Sequence, residues 1–263
     1  MSKSTRKRQL QKLAERRAAE RRRHRRRRVI AASVAGALVL GAGGATALTL
    51  LRGGEDPTAS ESPTPGPTEE PPAEVACGGD VPEAAGEDKP TFDRPPRMRI
   101  DRSKDYVAVI DTSCGRVTAE LFAGEAPENV NSFVFLANER FFNGLTFHRL
   151  EPGFVVQGGD PNGDGSGGPG YTLPDELDNE LDYEVGTLAM ANSGPDTSGS
   201  QFFIITGDQG ADLPKQYTIF GRVTKGMKVL ERIDGLPVAP NPDGQTNHPT
   251  ETIYIERITI RER

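Results

Sequence analysis

From Tyr106 onward the chain is a succession of short β-type runs broken by Gly, Pro, Asn and Asp, and this pattern limits the fold more than any other feature. Eight runs are expected as strands: Tyr106 to Asp111, Arg116 to Phe122, Leu145 to Leu150, Phe154 to Gly158, Gly186 to Ala191, Gln201 to Thr206, Tyr217 to Val223 and Thr252 to Ile260. In the second, Val117, Ala119 and Leu121 alternate with Thr118 and Glu120, the period of a half-buried strand. In the last, Ile253 and Ile255 share one parity and Ile258 and Ile260 the other, so a bulge or bend is expected near Glu256 and Arg257. Two helices interrupt the strands. Pro127 opens the first, with Val130, Phe133, Val134, Ala137 and Phe141 at helical spacing; Met227, Leu230 and Ile233 mark the second, which stops at Asp234-Gly235. Periodicity alone supports a barrel and a sandwich equally.

The first hundred residues cannot build a core, because their apolar side chains lie mostly in one run. Residues 1–28 hold 14 Lys and Arg against two Glu, a net of +12, while the whole chain carries −6. Residues 29–51 then follow without a charge, 23 residues that at about 1.5 Å each span a hydrocarbon layer of ~30 Å. They read as a transmembrane helix whose arginine-rich end, Arg21 to Arg28, stays cytoplasmic and sends the rest outside. A cleaved signal peptide ending near Ala45-Thr46-Ala47 is the alternative. The position of the basic tract against this run accounts for it, so no nucleic acid is expected as a partner. Residues 52–100 are rich in Pro, Gly, Ser, Thr and Glu and read as a linker, leaving 101–263 as the folded domain.

Cys77 and Cys114 are the two cysteines, both on the expected outer side, where disulfides persist. A pair is one reading and two isolated thiols the other. No metal is expected, since two cysteines without nearby histidines cannot complete a zinc site. Asp160-Pro161-Asn162-Gly163-Asp164-Gly165 imitates the start of an EF-hand loop, but Tyr171 stands where the bidentate Glu belongs. The glycines that follow lack a phosphate-loop ending, and Ser193 and Ser200 sit in no hydrolase frame.

The most specific motif is Phe147-His148-Arg149-Leu150-Glu151-Pro152-Gly153-Phe154-Val155-Val156-Gln157-Gly158-Gly159-Asp160, which sets a cation and an amide among apolar residues on two strands joined by a Pro-Gly turn. After it come Met190-Ala191-Asn192, then Gly199-Ser200-Gln201-Phe202-Phe203-Ile204-Ile205, then Tyr217-Thr218-Ile219-Phe220-Gly221-Arg222-Val223. Four blocks in this order resemble the cyclophilin-type peptidyl-prolyl cis-trans isomerases, of a membrane-anchored bacterial type. The resemblance implies a closed eight-stranded antiparallel β-barrel capped by two α-helices, with no cofactor. It implies Arg149 as the catalytic residue, and Phe154, Val155, Phe203, Leu213 and Tyr217 as the proline pocket. Gln157, Ala191, Asn192 and Gln201 match positions that hold the substrate backbone or orient the arginine. Asp212 stands where well-known members carry a tryptophan, which weighs against high-affinity cyclosporin binding; Tyr217 replaces a frequent histidine and Val155 a frequent methionine. The expected partners are proline-containing segments of exported or unfolded proteins, turned over by a monomer at the outer face of the membrane. A proline-binding module or holdase without catalysis is the alternative.

Overall fold

A computed structural model describes residues 74–241 and 246–263 of the chain. Among these residues the β-type runs form β1 (Tyr106–Thr112), β2 (Gly115–Leu121), β3 (Leu145–Thr146), β4 (Arg149–Glu151), β5 (Val155–Gly158), β6 (Thr187–Met190), β7 (Phe202–Ile205), β8 (Ile219–Lys225), β9 (Val238–Pro240), β10 (Asn247–Pro249) and β11 (Tyr254–Glu262). The helices are α1 (Pro127–Asn138) and α2 (Met227–Asp234). Nine strands make one curled antiparallel sheet in the order β3-β11-β1-β2-β8-β6-β7-β5-β4, and β9 and β10 form a separate ribbon.

The closed eight-stranded barrel implied by the resemblance is not what forms: the sheet is open. The run from Leu145 to Leu150 is two strands rather than one. β3 pairs with β11 at one edge, β4 pairs with β5 at the other, and Phe147 and His148 carry the chain between them. Instead of extending a ladder, this link buries the ring of Phe147 against Phe202, 6.2 Å between centroids. The bulge in β11 lies where the isoleucine phase changes. Asp111 faces Arg257 and Thr112 faces Ile255, so Glu256 is skipped and Ile253, Ile255 and Ile258 all stay buried.

A second correction concerns the membrane. Among the described residues no helix is long and apolar enough to cross one, and Val29 to Leu51, where the sequence places that span, lies outside them. The transmembrane helix, the membrane as a partner, the membrane-anchored subtype and the single-pass localisation are therefore not retained.

The core is aromatic. Phe133 of α1, Phe141, Phe142, Phe147, Phe202 and Phe220 are all buried inside the curl with Leu136, Leu150, Leu188 and Ile255. Ala126, before α1, offers no side-chain cap; the carboxylate of Glu176 instead accepts the amides of Glu128 and Asn129 at 3.1 and 3.0 Å, favourable against the positive helix end. β5, β6 and β7 are buried on both faces, which explains why Phe202-Phe203-Ile204-Ile205 is continuously apolar rather than alternating. Phe202 and Ile204 enter the core, while Phe203 and Ile205 join a second cluster on the opposite face.

Residues 74–105 pack against the strands, the first helix and the loop at Pro169. Val75 bridges to Thr252, the Phe92 amide donates to the Pro169 carbonyl at 2.8 Å, and the Asn131 carboxamide accepts the Arg99 amide at 2.9 Å. Cys77 is bonded to Cys114 in the β1–β2 turn, with Cα atoms 5.0 Å apart. The bond closes a loop of sequence separation 37. By the loss of loop freedom in the unfolded chain such a bridge contributes roughly 2 to 4 kcal/mol. Denaturant unfolding with and without reductant should show that difference, matched by Cys114→Ser; equal midpoints would mean the bridge adds nothing.

Candidate active site

The site lies on β4, β5 and β7, on the face opposite the aromatic core. Pairing places Arg149 opposite Gln157 and Gln157 opposite Phe203. Because neighbours across a ladder share a face, the cation, the amide and the aromatic ring stand in one row. The Pro152-Gly153 turn that joins β4 to β5 is clamped: the Gly153 amide donates to both carboxylate oxygens of Asp234 at 2.9 Å. Gly153 has φ +74°, and a Cβ at Gly207 would lie 2.4 Å from the Gly153 carbonyl, so both positions require glycine.

Arg149 is 6% exposed. Its Nε donates to Glu151 Oε1 at 3.3 Å and its Nη1 to Gln157 Oε1 at 3.3 Å. Gln157 Nε2 in turn donates to Gln201 Oε1 at 3.0 Å, and Gln201 Nε2 donates to the carbonyls of Gly165 and Gly167, both at 2.9 Å. The relay ends on backbone, so each amide has one orientation that satisfies its neighbours. Among the described residues, Nη2 has no protein partner.

Beside this relay Phe154, Val155, Phe203 and Tyr217 are buried in one apolar cluster with Ala189, Ala191, Ile205 and Ile219, and Leu213 packs against its rim. Phe203 and Tyr217 meet edge to face, 5.4 Å between centroids. Gln157, Ala191, Asn192 and Gln201 line an adjoining cavity of about 430 Å³. The Asn192 side chain is tied back to the Gln216 carbonyl at 2.9 Å. Thus Arg149 and the nine residues named with it from the sequence fall in one neighbourhood, whereas Cys77 and Cys114 lie at the β1–β2 turn. The EF-hand-like segment closes on itself, the Asp160 carboxylate accepting the amides of Asn162 at 2.9 Å and Gly165 at 2.5 Å. Among the described residues no group of three His, Cys, Asp or Glu is placed to hold a metal ion.

Three residues of this neighbourhood escaped the sequence reading. Glu151 and Asp234 look like ordinary surface carboxylates, and only the fold brings them to the arginine and the turn. Tyr183 accepts the Tyr217 amide at 3.0 Å and donates to its carbonyl at 2.8 Å, holding that side of the apolar cluster.

Residues 107–260 match the family described as cyclophilin type peptidyl-prolyl cis-trans isomerase/CLD. The chain belongs to the cyclophilin family. It is 50% identical over 119 residues to peptidyl-prolyl cis-trans isomerase B of Bacillus subtilis, covering 45% of this chain and 82% of that protein. It is 38% identical over 179 residues to peptidyl-prolyl cis-trans isomerase B of Streptomyces anulatus, covering 61% of this chain and 99% of that one. Human peptidylprolyl isomerase domain and WD repeat-containing protein 1 is 42% identical over 158 residues, 59% of this chain and 24% of that protein. The chain thus spans about a quarter of that relative's length. The crystal structure of a Cryptosporidium parvum cyclophilin type isomerase superposes with a TM-score of 0.55 at 32% identity, covering 60% of this chain and 99% of that chain.

Within the cyclophilin site, burial keeps the rings neutral. Removal from water pushes the His148 imidazole below its ordinary range, with Asp160 opposing and Arg149 adding to the shift. The Tyr217 phenol is pushed up to about 12, chiefly by burial. Arg149 is then the only cation of the motif at neutral pH. Since an unfolded tyrosine ionises near about pH 10, the folded state holds its proton where the unfolded state loses it. Stability from Tyr217 is therefore complete below pH ~10 and is lost as pH rises toward about 12. A pH series of denaturant midpoints should fall in that window for the parent and fall less for Tyr217→Phe; identical slopes would contradict a buried neutral phenol.

Proposed function

We propose that this cyclophilin accelerates rotation about X-Pro bonds in unfolded or extended polypeptide segments laid across β5 and β7, with Arg149 as the catalytic residue. The uncatalysed barrier, about 18 to 20 kcal/mol, is the cost of breaking amide resonance. At the top of the barrier the prolyl nitrogen is pyramidal and carries a lone pair that neither planar form has. A donor aimed at that nitrogen stabilises the twisted state more than the two ground states, and that difference is catalysis. No bond is made or broken, so the chemistry needs no cofactor.

The observation that carries this reading is the state of the guanidinium: 6% exposed, tied at Nε and Nη1, and without a partner at Nη2 among the described residues, on the same face as the apolar cluster of Phe154, Val155, Phe203 and Tyr217. Docking a proline alone would need the pocket and not the cation. Phe154, Val155, Phe203, Leu213 and Tyr217 are assigned to the ring, Gln157 to the orientation of Arg149, and Ala191, Asn192 and Gln201 to the peptide backbone. The Cryptosporidium parvum relative, solved in the presence of the dipeptide Ala-Pro at a TM-score of 0.54, is consistent with so small an occupant.

A preorganised donor to charge that develops only in the transition state is worth roughly 10² to 10³ in turnover. Arg149→Ala should lose about that much kcat in a protease-coupled assay on a short X-Pro peptide and bind the peptide within a few-fold of the parent. Phe203→Ala removes pocket wall and should weaken binding together with rate. An Arg149→Ala variant that is folded and as fast as the parent would refute the catalytic assignment; a parent without acceleration would establish the binding-module reading.

A further inference from the structure

Glu151 is half of the ion pair that Arg149 makes, and its own surroundings set it apart from a surface carboxylate. Its side chain is 17% exposed. Besides the Arg149 Nε at 3.3 Å, it accepts the Asn247 backbone amide at 3.0 Å through Oε1 and the Asn247 Nδ2 at 2.6 Å through Oε2. Asn247 opens β10, 96 residues away in sequence. The β9–β10 ribbon, which stands outside the main sheet, therefore touches the site through this carboxylate.

We propose that Glu151 is a positioning residue for Arg149, held in place by Asn247 of the β9–β10 ribbon; the proposal rests on the reading of Arg149 as the catalytic residue. A guanidinium bonded at Nη1 alone can swing its plane about that bond. A second bond at Nε, on the opposite edge of the same planar group, removes the swing and leaves Nη2 with one direction. A carboxylate does this better than a neutral acceptor, because the bond to it is charge-assisted. The carboxylate must itself be immobile to serve, and the two donors of Asn247 make it so. Glu151 offsets some of the positive potential of Arg149, so its contribution is direction rather than charge. Turnover depends steeply on direction, since a small misplacement of a catalytic group can cost on the order of 10²-fold.

Steady-state kcat and KM for an X-Pro peptide should be measured on the full chain for Glu151→Ala, Glu151→Gln, Asn247→Ala, Arg149→Ala and the Arg149→Ala/Glu151→Ala double variant. Glu151→Ala should lower kcat about tenfold with KM within about twofold, as losses of a supporting partner commonly do. Glu151→Gln, which keeps an acceptor oxygen without the charge, should recover part of that loss, and Asn247→Ala should lose several-fold. The double variant should be no slower than Arg149→Ala, because Glu151 acts only through the arginine. In ¹⁵N NMR spectra the Arg149 Nε–H resonance should be resolved and protected in the parent and move to the free-arginine position in Glu151→Ala. Parent-like kcat in Glu151→Ala, or a further tenfold loss in the double variant, would overturn the proposal. Should Glu151→Ala not fold, Asn247→Ala carries the test, since it loosens the carboxylate while leaving the ion pair in place, and parent-like kcat there would overturn the proposal. If Arg149→Ala proves as fast as the parent, the catalytic reading fails by itself; the Nε–H resonance then decides whether Glu151 holds the guanidinium, and an unmoved resonance overturns the hold.

Discussion

The ring of Phe202 is the contact on which the rest of the structure depends. It meets Phe133, Phe142, Phe147 and Phe220 at centroid distances of 5.5, 5.9, 6.2 and 6.3 Å, with interplanar angles from 78 to 90°. Edge-to-face pairs of this kind contribute about 0.5 to 1.5 kcal/mol each beyond the area they bury. They join α1, both ends of the sheet and β8 to a single residue of β7. Since successive side chains of a strand point to opposite faces, fixing Phe202 inward fixes Phe203 outward, and the apolar cluster around Phe203 is set by the core beneath it. The same alternation on β5 sends Val156 inward and Val155 and Gln157 to the site.

Electrostatically the site is sparse. Burial keeps the His148 imidazole and the Tyr217 phenol neutral, which leaves the Arg149–Glu151 ion pair beside an apolar wall, with Arg149 as its one charged donor. A single fixed donor suits a reaction in which no proton moves and no covalent intermediate forms. The amide relay from Gln157 through Gln201 to the Gly165 and Gly167 carbonyls spends these polar atoms on one another and on backbone.

Much of this was legible in the sequence where a local period carried it. The isoleucine phase change announced the skipped residue Glu256, Pro127 and Gly235 marked helix ends, and the Phe-His-Arg block located the cation. What was hidden depends on long-range pairing. The run from Leu145 to Leu150 has one composition throughout, and nothing local says that its halves pair with different partners and leave the sheet open. The β9–β10 ribbon, formed by Val238–Pro240 and Asn247–Pro249, carries two prolines and little alternation, so it has no strand signature. Residues 74–105 are polar and proline-rich, yet pack on the domain through backbone bonds, which composition does not encode. Glu151 and Asn247 meet only because the ribbon folds back on β4.

The central claim is that one groove both holds a proline and lowers the barrier to its rotation. Two-dimensional NMR exchange spectroscopy on an Ala-Pro-containing peptide, with the protein present in catalytic amount, observes that event without a coupled protease. The account predicts cross-peaks between the cis and trans resonances of the peptide at mixing times of a fraction of a second, far shorter than the tens of seconds of the free peptide. Peptide resonances that broaden or shift on binding while cis and trans remain unconnected would contradict it, because the groove would then bind proline without turning it.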